Sequence, residues 1–126
     1  MSQEKESYQV VGAVWIEKSD GTDRFLGKGR IQLMELIIEH GSISQAAKAM
    51  NMSYKRAWEL INSMNVQSAK PFVITQVGGK RGGGAVVTEE GIKAIAEYKD
   101  LQARFKEFLS QETEDFNLKN PSLGIV

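Results

Sequence analysis

Lys55 with Arg56, and Lys80 with Arg81, are two pairs of adjacent cations in a chain of 126 residues whose formal net charge is zero. Paired cations do one kind of chemistry well: they neutralise phosphate oxygens and displace the counterions around them. The first pair falls in the opening turn of a helical pattern that begins after Ser53. There the helix macrodipole disfavours positive charge, and a phosphate backbone lying against that turn would reverse the penalty. The second pair sits among five glycines in Gly78-Gly79-Lys80-Arg81-Gly82-Gly83-Gly84. Ordering so many glycines costs conformational entropy. In return, a glycine tip lets backbone approach a nucleic acid closely while its cations meet phosphates or enter the minor groove. The bland alternatives are solvated cations and a flexible loop. An anion-binding nest for a nucleotide is weaker, since no hydroxyl or acid stands ready for a metal.

Between residues 43 and 88, Lys48, Lys55, Arg56, Lys70, Lys80 and Arg81 face Glu59 alone, and both flanks are acidic on balance. Local potential steers a polyanion, so this segregation matters more than the zero total. Other chemistries find few residues to use. Cysteine is absent, which excludes disulfides and thiolate metal sites and suits a reducing cytoplasm. His40 is the only histidine, so a zinc site or a Ser-His-Asp triad would hinge on it, and its place before Gly41 suits a helix end. Gly27-Lys28-Gly29-Arg30 departs from a P-loop at both ends. Thr22 stands where the first glycine belongs and Gly29 where the magnesium-binding hydroxyl belongs, so the stretch reads as a strand-to-helix connector. No acid–base pair or ligand cluster has catalytic spacing, and neither an enzyme nor a cofactor is expected. No apolar run approaches about 20 residues. The opening Met1-Ser2-Gln3-Glu4-Lys5 also lacks a signal-peptide core, so no membrane span and a cytoplasmic location are expected.

These candidates need a scaffold, and the pattern of the chain supplies one. Residues 1–7 read as a flexible N-terminus. Tyr8 to Lys18, rich in β-branched and aromatic residues, reads as a strand. Ser19-Asp20-Gly21-Thr22 turns it back into a short strand from Asp23 to Leu26. Arg30 to His40 is helical and apolar on more than one face, hence central to a core. Ser42 and Gln45 then form a capping-box pattern. After them Ile43, Ala46, Ala47 and Met50 make a small buried face, with Gln45 and Lys48 outward. Ser53 caps the next helix, in which Tyr54, Ala57, Ile61 and Met64 fall at spacings of three, four and three. Trp58 and Leu60 widen that stripe, and Lys55, Arg56, Glu59, Asn62 and Ser63 form the opposite face. Past Pro71, Phe72 to Val77 reads as a strand and Ala85-Val86-Val87 as its partner across the glycine tip. Thr88, Glu89 and Glu90 open the last helix, the hydroxyl as cap and the acids on the dipole. Ile92, Ile95, Tyr98, Leu101, Phe105 and Phe108 run along it as a stripe longer than a small core needs. Pairing with a second copy through this stripe is expected, the simpler reading being that it packs on its own chain. Residues 113–126 read as an irregular tail.

Taken in order, these elements make an α+β, mainly α, winged helix-turn-helix with an N-terminal β-hairpin and a long C-terminal helix. Four motifs carry a resemblance: Gly41-Ser42-Ile43-Ser44-Gln45-Ala46-Ala47, then Ser53-Tyr54-Lys55-Arg56-Ala57-Trp58, Met64-Asn65, and Gly78 to Ala85 with Thr88. Over about residues 8–112 the chain resembles the N-terminal DNA-binding domain of ModE-type molybdate-responsive transcription regulators; the Gly-Ser-Ile-Ser piece is shared with LysR-type regulators. The resemblance implies a homodimer on palindromic double-stranded DNA, with residues 88–112 as its dimerisation helix. Ser53, Tyr54, Lys55, Arg56, Lys80 and Arg81 match the family's contact motifs, and Ser44, Gln45, Glu59 and Asn62 join them from the same helix pair. Trp58 also matches, though its helical position assigns it to the core. Full-length relatives of this type carry C-terminal molybdate-binding modules, for which the residues after Glu112 are too few. Effector sensing is therefore expected to come through a separate protein or to be lacking. The function expected is that of a sequence-specific DNA-binding transcription regulator. The alternative is a winged-helix protein–protein interaction module without DNA binding, which would show no salt-dependent retention on heparin.

Overall fold

Short polar side chains and glycines start and stop nearly every element, and the caps can be followed one by one. The computed structural model describes residues 7–76 and 84–120, a mixed α/β, mostly helical arrangement with four helices and two small antiparallel sheets. In the first sheet β1 (Ile16–Glu17) pairs with β2 (Arg24–Leu26), Ile16 opposite Leu26. The Asp-Gly turn between them places Gly21 at φ 76°, where a side chain would strain the backbone. Asp20 Oδ1 accepts from the Thr22 N–H and hydroxyl, and the hydroxyl above all holds that carboxyl below its ordinary range. The expected long strand from Tyr8 is corrected: only Ile16 and Glu17 find a ladder partner, and Tyr8 to Trp15 carry no assigned secondary structure.

Helix α1 (Lys28–His40) buries Ile31, Leu33, Met34 and Ile37, each worth about 2 kcal/mol relative to exposure. Gly41, at φ 68°, closes it by donating its N–H to Ile37 O at 2.7 Å. Helix α2 (Ile43–Ala49) follows at once, capped by Ser42, and α3 (Tyr54–Gln67) is capped by Ser53. The second sheet joins β3 (Val73–Gln76) to β4 (Gly84–Val87), with Val73 opposite Val87 and Gln76 opposite Gly84. Helix α4 (Glu89–Lys119) begins where Thr88 Oγ1 accepts from the Gly91 N–H and donates to Pro71 O. No helix among the described residues is long and apolar enough to cross a membrane.

The chain divides into two compact units, residues 15–99 and residues 1–14 with 100–126. The larger holds the core, to which α1, α2, α3, both strands of the second sheet and the first turns of α4 contribute. In the smaller, the extended segment from Tyr8 lies on the later turns of α4. Asn117 exchanges two hydrogen bonds with the backbone of Tyr8, and Thr113 Oγ1 accepts from the Val10 N–H at 2.8 Å. Those bonds bear on a second correction: residues 113–119 continue α4 instead of forming an irregular tail. Phe105 fills the space beside Gly12, where a Cβ would lie 3.2 Å from its ring.

Candidate nucleic-acid interface

Ala46 and Ala47 are small enough to let α2 lie close on its neighbours, and both are buried. Ser42 Oγ accepts from the Gln45 N–H at 3.1 Å, which is the only half of the capping box formed. Gln45 and Ser44 remain exposed on the first turn. The turn into α3 depends on Asn51, at φ 55° the one described non-glycine residue with positive φ, whose N–H donates to Lys48 O. Met52 closes the same turn with its N–H on Ala47 O at 3.0 Å. Ser53 Oγ then accepts from the Arg56 N–H at 3.0 Å, fixing the turn that carries Lys55 and Arg56.

Helix α3 is pinned from three sides. Ala57, Leu60, Ile61 and Met64 face the core. Arg30 of α1 reaches across to Ser63 Oγ at 2.9 Å while also donating to Arg24 O. Partial burial lowers the pKa of this guanidinium, Arg56 and Arg24 push the same way and Asp23 opposes, yet an arginine stays charged throughout the physiological range. At the far end Asn65 accepts from the N–H groups of Phe72 and Val73 and donates to Val73 O. That clamp sets α3 against β3, and nothing in the chain's apolar periodicity announces it; the Met64-Asn65 motif alone singles the residue out.

The side chains expected to meet DNA from this helix pair are Ser44, Gln45, Ser53, Tyr54, Lys55, Arg56, Glu59 and Asn62, and all eight are exposed. Lys55 and Arg56 stand in an opening turn that contains no acid. Glu59 lies 3.9 Å from Arg56, a loose, solvent-screened pair one turn on. Tyr54 and Trp58 correct the expected buried stripe: they are 54% and 45% exposed. Ala57 and Ile61 suffice to fill the contact with the core, and Trp58 lies about 100° around the helix from Ala57. Lys80 and Arg81 fall outside the described residues. The root of their hairpin is fixed: Ala85 N–H donates to Gly41 O at 3.0 Å, and a Cβ on Gly84 would lie 3.2 Å from the same oxygen.

Of the residues expected to join two copies, Ile95 and Tyr98 are turned into the core of their own chain. Leu101 and Phe105 are half-buried, while Ile92 and Phe108 are exposed. Among the described residues no three His, Cys, Asp or Glu side chains gather as a metal site would require. What α2 and α3 offer chemically is a row of hydrogen-bond donors and two cations on the outer side of a well-anchored helix.

No protein-family model matches the chain. It is 38% identical over 92 residues, 73% of its length, to "Molybdenum transport protein ModE" of Azotobacter vinelandii, covering 34% of that protein. To "Molybdenum-pterin-binding protein MopB" of Rhodobacter capsulatus it is 42% identical over 93 residues, 74% of the chain and 34% of the relative. Against "DNA-binding transcriptional dual regulator ModE" of Escherichia coli K12 the identity is 46% over 83 residues, 66% of the chain and 31% of the relative. The chain thus spans about a third of the length of the curated relatives it matches.

Proposed function

We infer, from that likeness and from the outer face of α3, that this chain is a sequence-specific DNA-binding transcription regulator acting as a homodimer. In this reading α1, α2, α3 and the β3–β4 hairpin form a winged helix-turn-helix within residues 8–112. Helix α3 enters the major groove, and Lys80 and Arg81 meet the backbone or minor groove. One observation carries it: Lys55 and Arg56 are exposed in the first turn of a helix whose dipole opposes them and whose first turn holds no acid. A phosphate backbone supplies the missing counter-charge. Glu59 and Asn62, further along the same exposed side, are suited to base edges, a carboxylate to the cytosine amino group and an amide to adenine. The two-fold is made by α4, through Leu101, Phe105 and Phe108.

The test is fluorescence anisotropy against a randomised duplex pool at two salt concentrations, followed by sequencing of the bound fraction. Salt-sensitive binding that enriches a two-fold-symmetric site is the expected result. The Lys55→Ala, Arg56→Ala double variant should lose affinity and flatten the log–log salt slope by about 2. A folded double variant that keeps full affinity for the selected site would remove α3 from the interface.

A further inference from the structure

Among the described residues the core has taken nineteen hydrophobic side chains and left Trp58 out. An indole held half in water beside a filled core is suited to a partner that is apolar at its edge and polar at its centre. Its ring stands between two adjoining depressions of about 390 and 340 Å³ along the seam of α2, α3 and β3, with Ile43 and Thr75 bordering both. Ser44 and Tyr54 line one, Asn62 the other, and no charged side chain lines either among the described residues. The Trp15 indole N–H donates to Glu17, whereas the Trp58 Nε1–H and the hydroxyls of Tyr54, Ser44 and Thr75 have no partner among the described residues.

We propose that this seam seats a phosphodiester of the DNA backbone, held by neutral donors with the Trp58 Nε1–H at their centre and the deoxyribose against the indole ring. The inference rests on α3 being the helix in the major groove. A helix in the major groove and a hairpin reaching the adjacent minor groove are separated by one sugar-phosphate strand. That strand must cross the space between α3 and β3, where Trp58 stands. The lining suits it, with N–H and O–H donors unpartnered among the described residues, no carboxylate in either depression, and Lys55 one turn away to draw it in. Because these donors are uncharged, they add affinity without releasing further counterions. The seam therefore contributes a part of binding that salt does not remove.

Two measurements test this. In a Trp15→Phe background Trp58 is the only indole, and its emission should shift along the same curve as the anisotropy of an added labelled duplex. Trp58→Phe keeps an aromatic ring and drops the donor. It should weaken binding roughly fivefold on the selected site and on a mixed-sequence duplex alike, with the salt slope unchanged. Methylphosphonate substitution, one phosphate at a time, should find a position that weakens the parent protein but not Trp58→Phe. Duplex binding that is salt-sensitive yet leaves Trp58 emission unmoved would overturn the seat while leaving the DNA reading intact. A Trp58→Phe loss confined to the selected site would make the ring a base reader instead. Absence of any duplex binding would overturn both together.

Discussion

Asn65 shows how much a single amide can hold. It satisfies two N–H groups and one carbonyl at the entry to β3, so Asn65→Ala leaves three half-buried backbone groups to find water and should cost about 2–3 kcal/mol, read as a lower urea midpoint at unchanged slope. Two glycines make a sharper contrast. A Cβ at Gly91 would come within 2.5 Å of Phe72 O and 2.6 Å of Val87, so Gly91→Ala should destabilise by about 1–3 kcal/mol although alanine favours helix. At Gly29, also helical, nothing lies within 4 Å, and the same change should stabilise by roughly 0.5 kcal/mol. Thermal midpoints of the two variants, moving in opposite directions, check both. At this scale the sequence was most readable where a side chain bonds its own neighbourhood. Ser42 and Ser53 cap as expected, whereas the Asn65 clamp depends on a strand seven or eight residues away and on a geometry that no local pattern encodes.

Among the elements, the three helices before the second sheet were legible from their stops: Gly41 after α1, Asn51 and Met52 after α2, and Pro71 a few residues beyond the end of α3. The N-terminal strand was not, since alternation says which way side chains point and not whether a partner lies alongside. The last turns of α4 depart from the expected irregular tail for a related reason. Glu112 to Asn117 lack an apolar stripe, and they are tied by Thr113 and Asn117 to a segment more than a hundred residues earlier. Replacing Thr113 by Val and Asn117 by Leu should accelerate amide hydrogen exchange at Tyr8 and Val10, with little change at β3 and β4. Equal acceleration in both places would mean that the first segment is not held by these two side chains. Tyr54 and Trp58 are exposed where apolar spacing predicts burial, because spacing marks a stripe and not whether the facing space is already full.

For the molecule as a whole, zero net charge conceals a basic middle between acidic flanks. A particle of that kind should pass weakly charged resins yet hold to heparin, releasing as salt rises. The proposed dimer is tested at this scale too. Light scattering should give twice the 14.0 kDa chain mass, and Phe108→Asp, at a ring 56% exposed, should give the single-chain mass with helicity retained. A parent chain that stays at single mass when concentrated would remove α4 as the two-fold element. The bond from Ala85 N–H to Gly41 O has a consequence in heritable variation. Loss of one residue from Gly84–Val87 would turn Ala85 and Val87 outward and unhook the hairpin from the corner before α2. Descendants of this chain should therefore keep the spacing from Gly84 to Thr88 fixed.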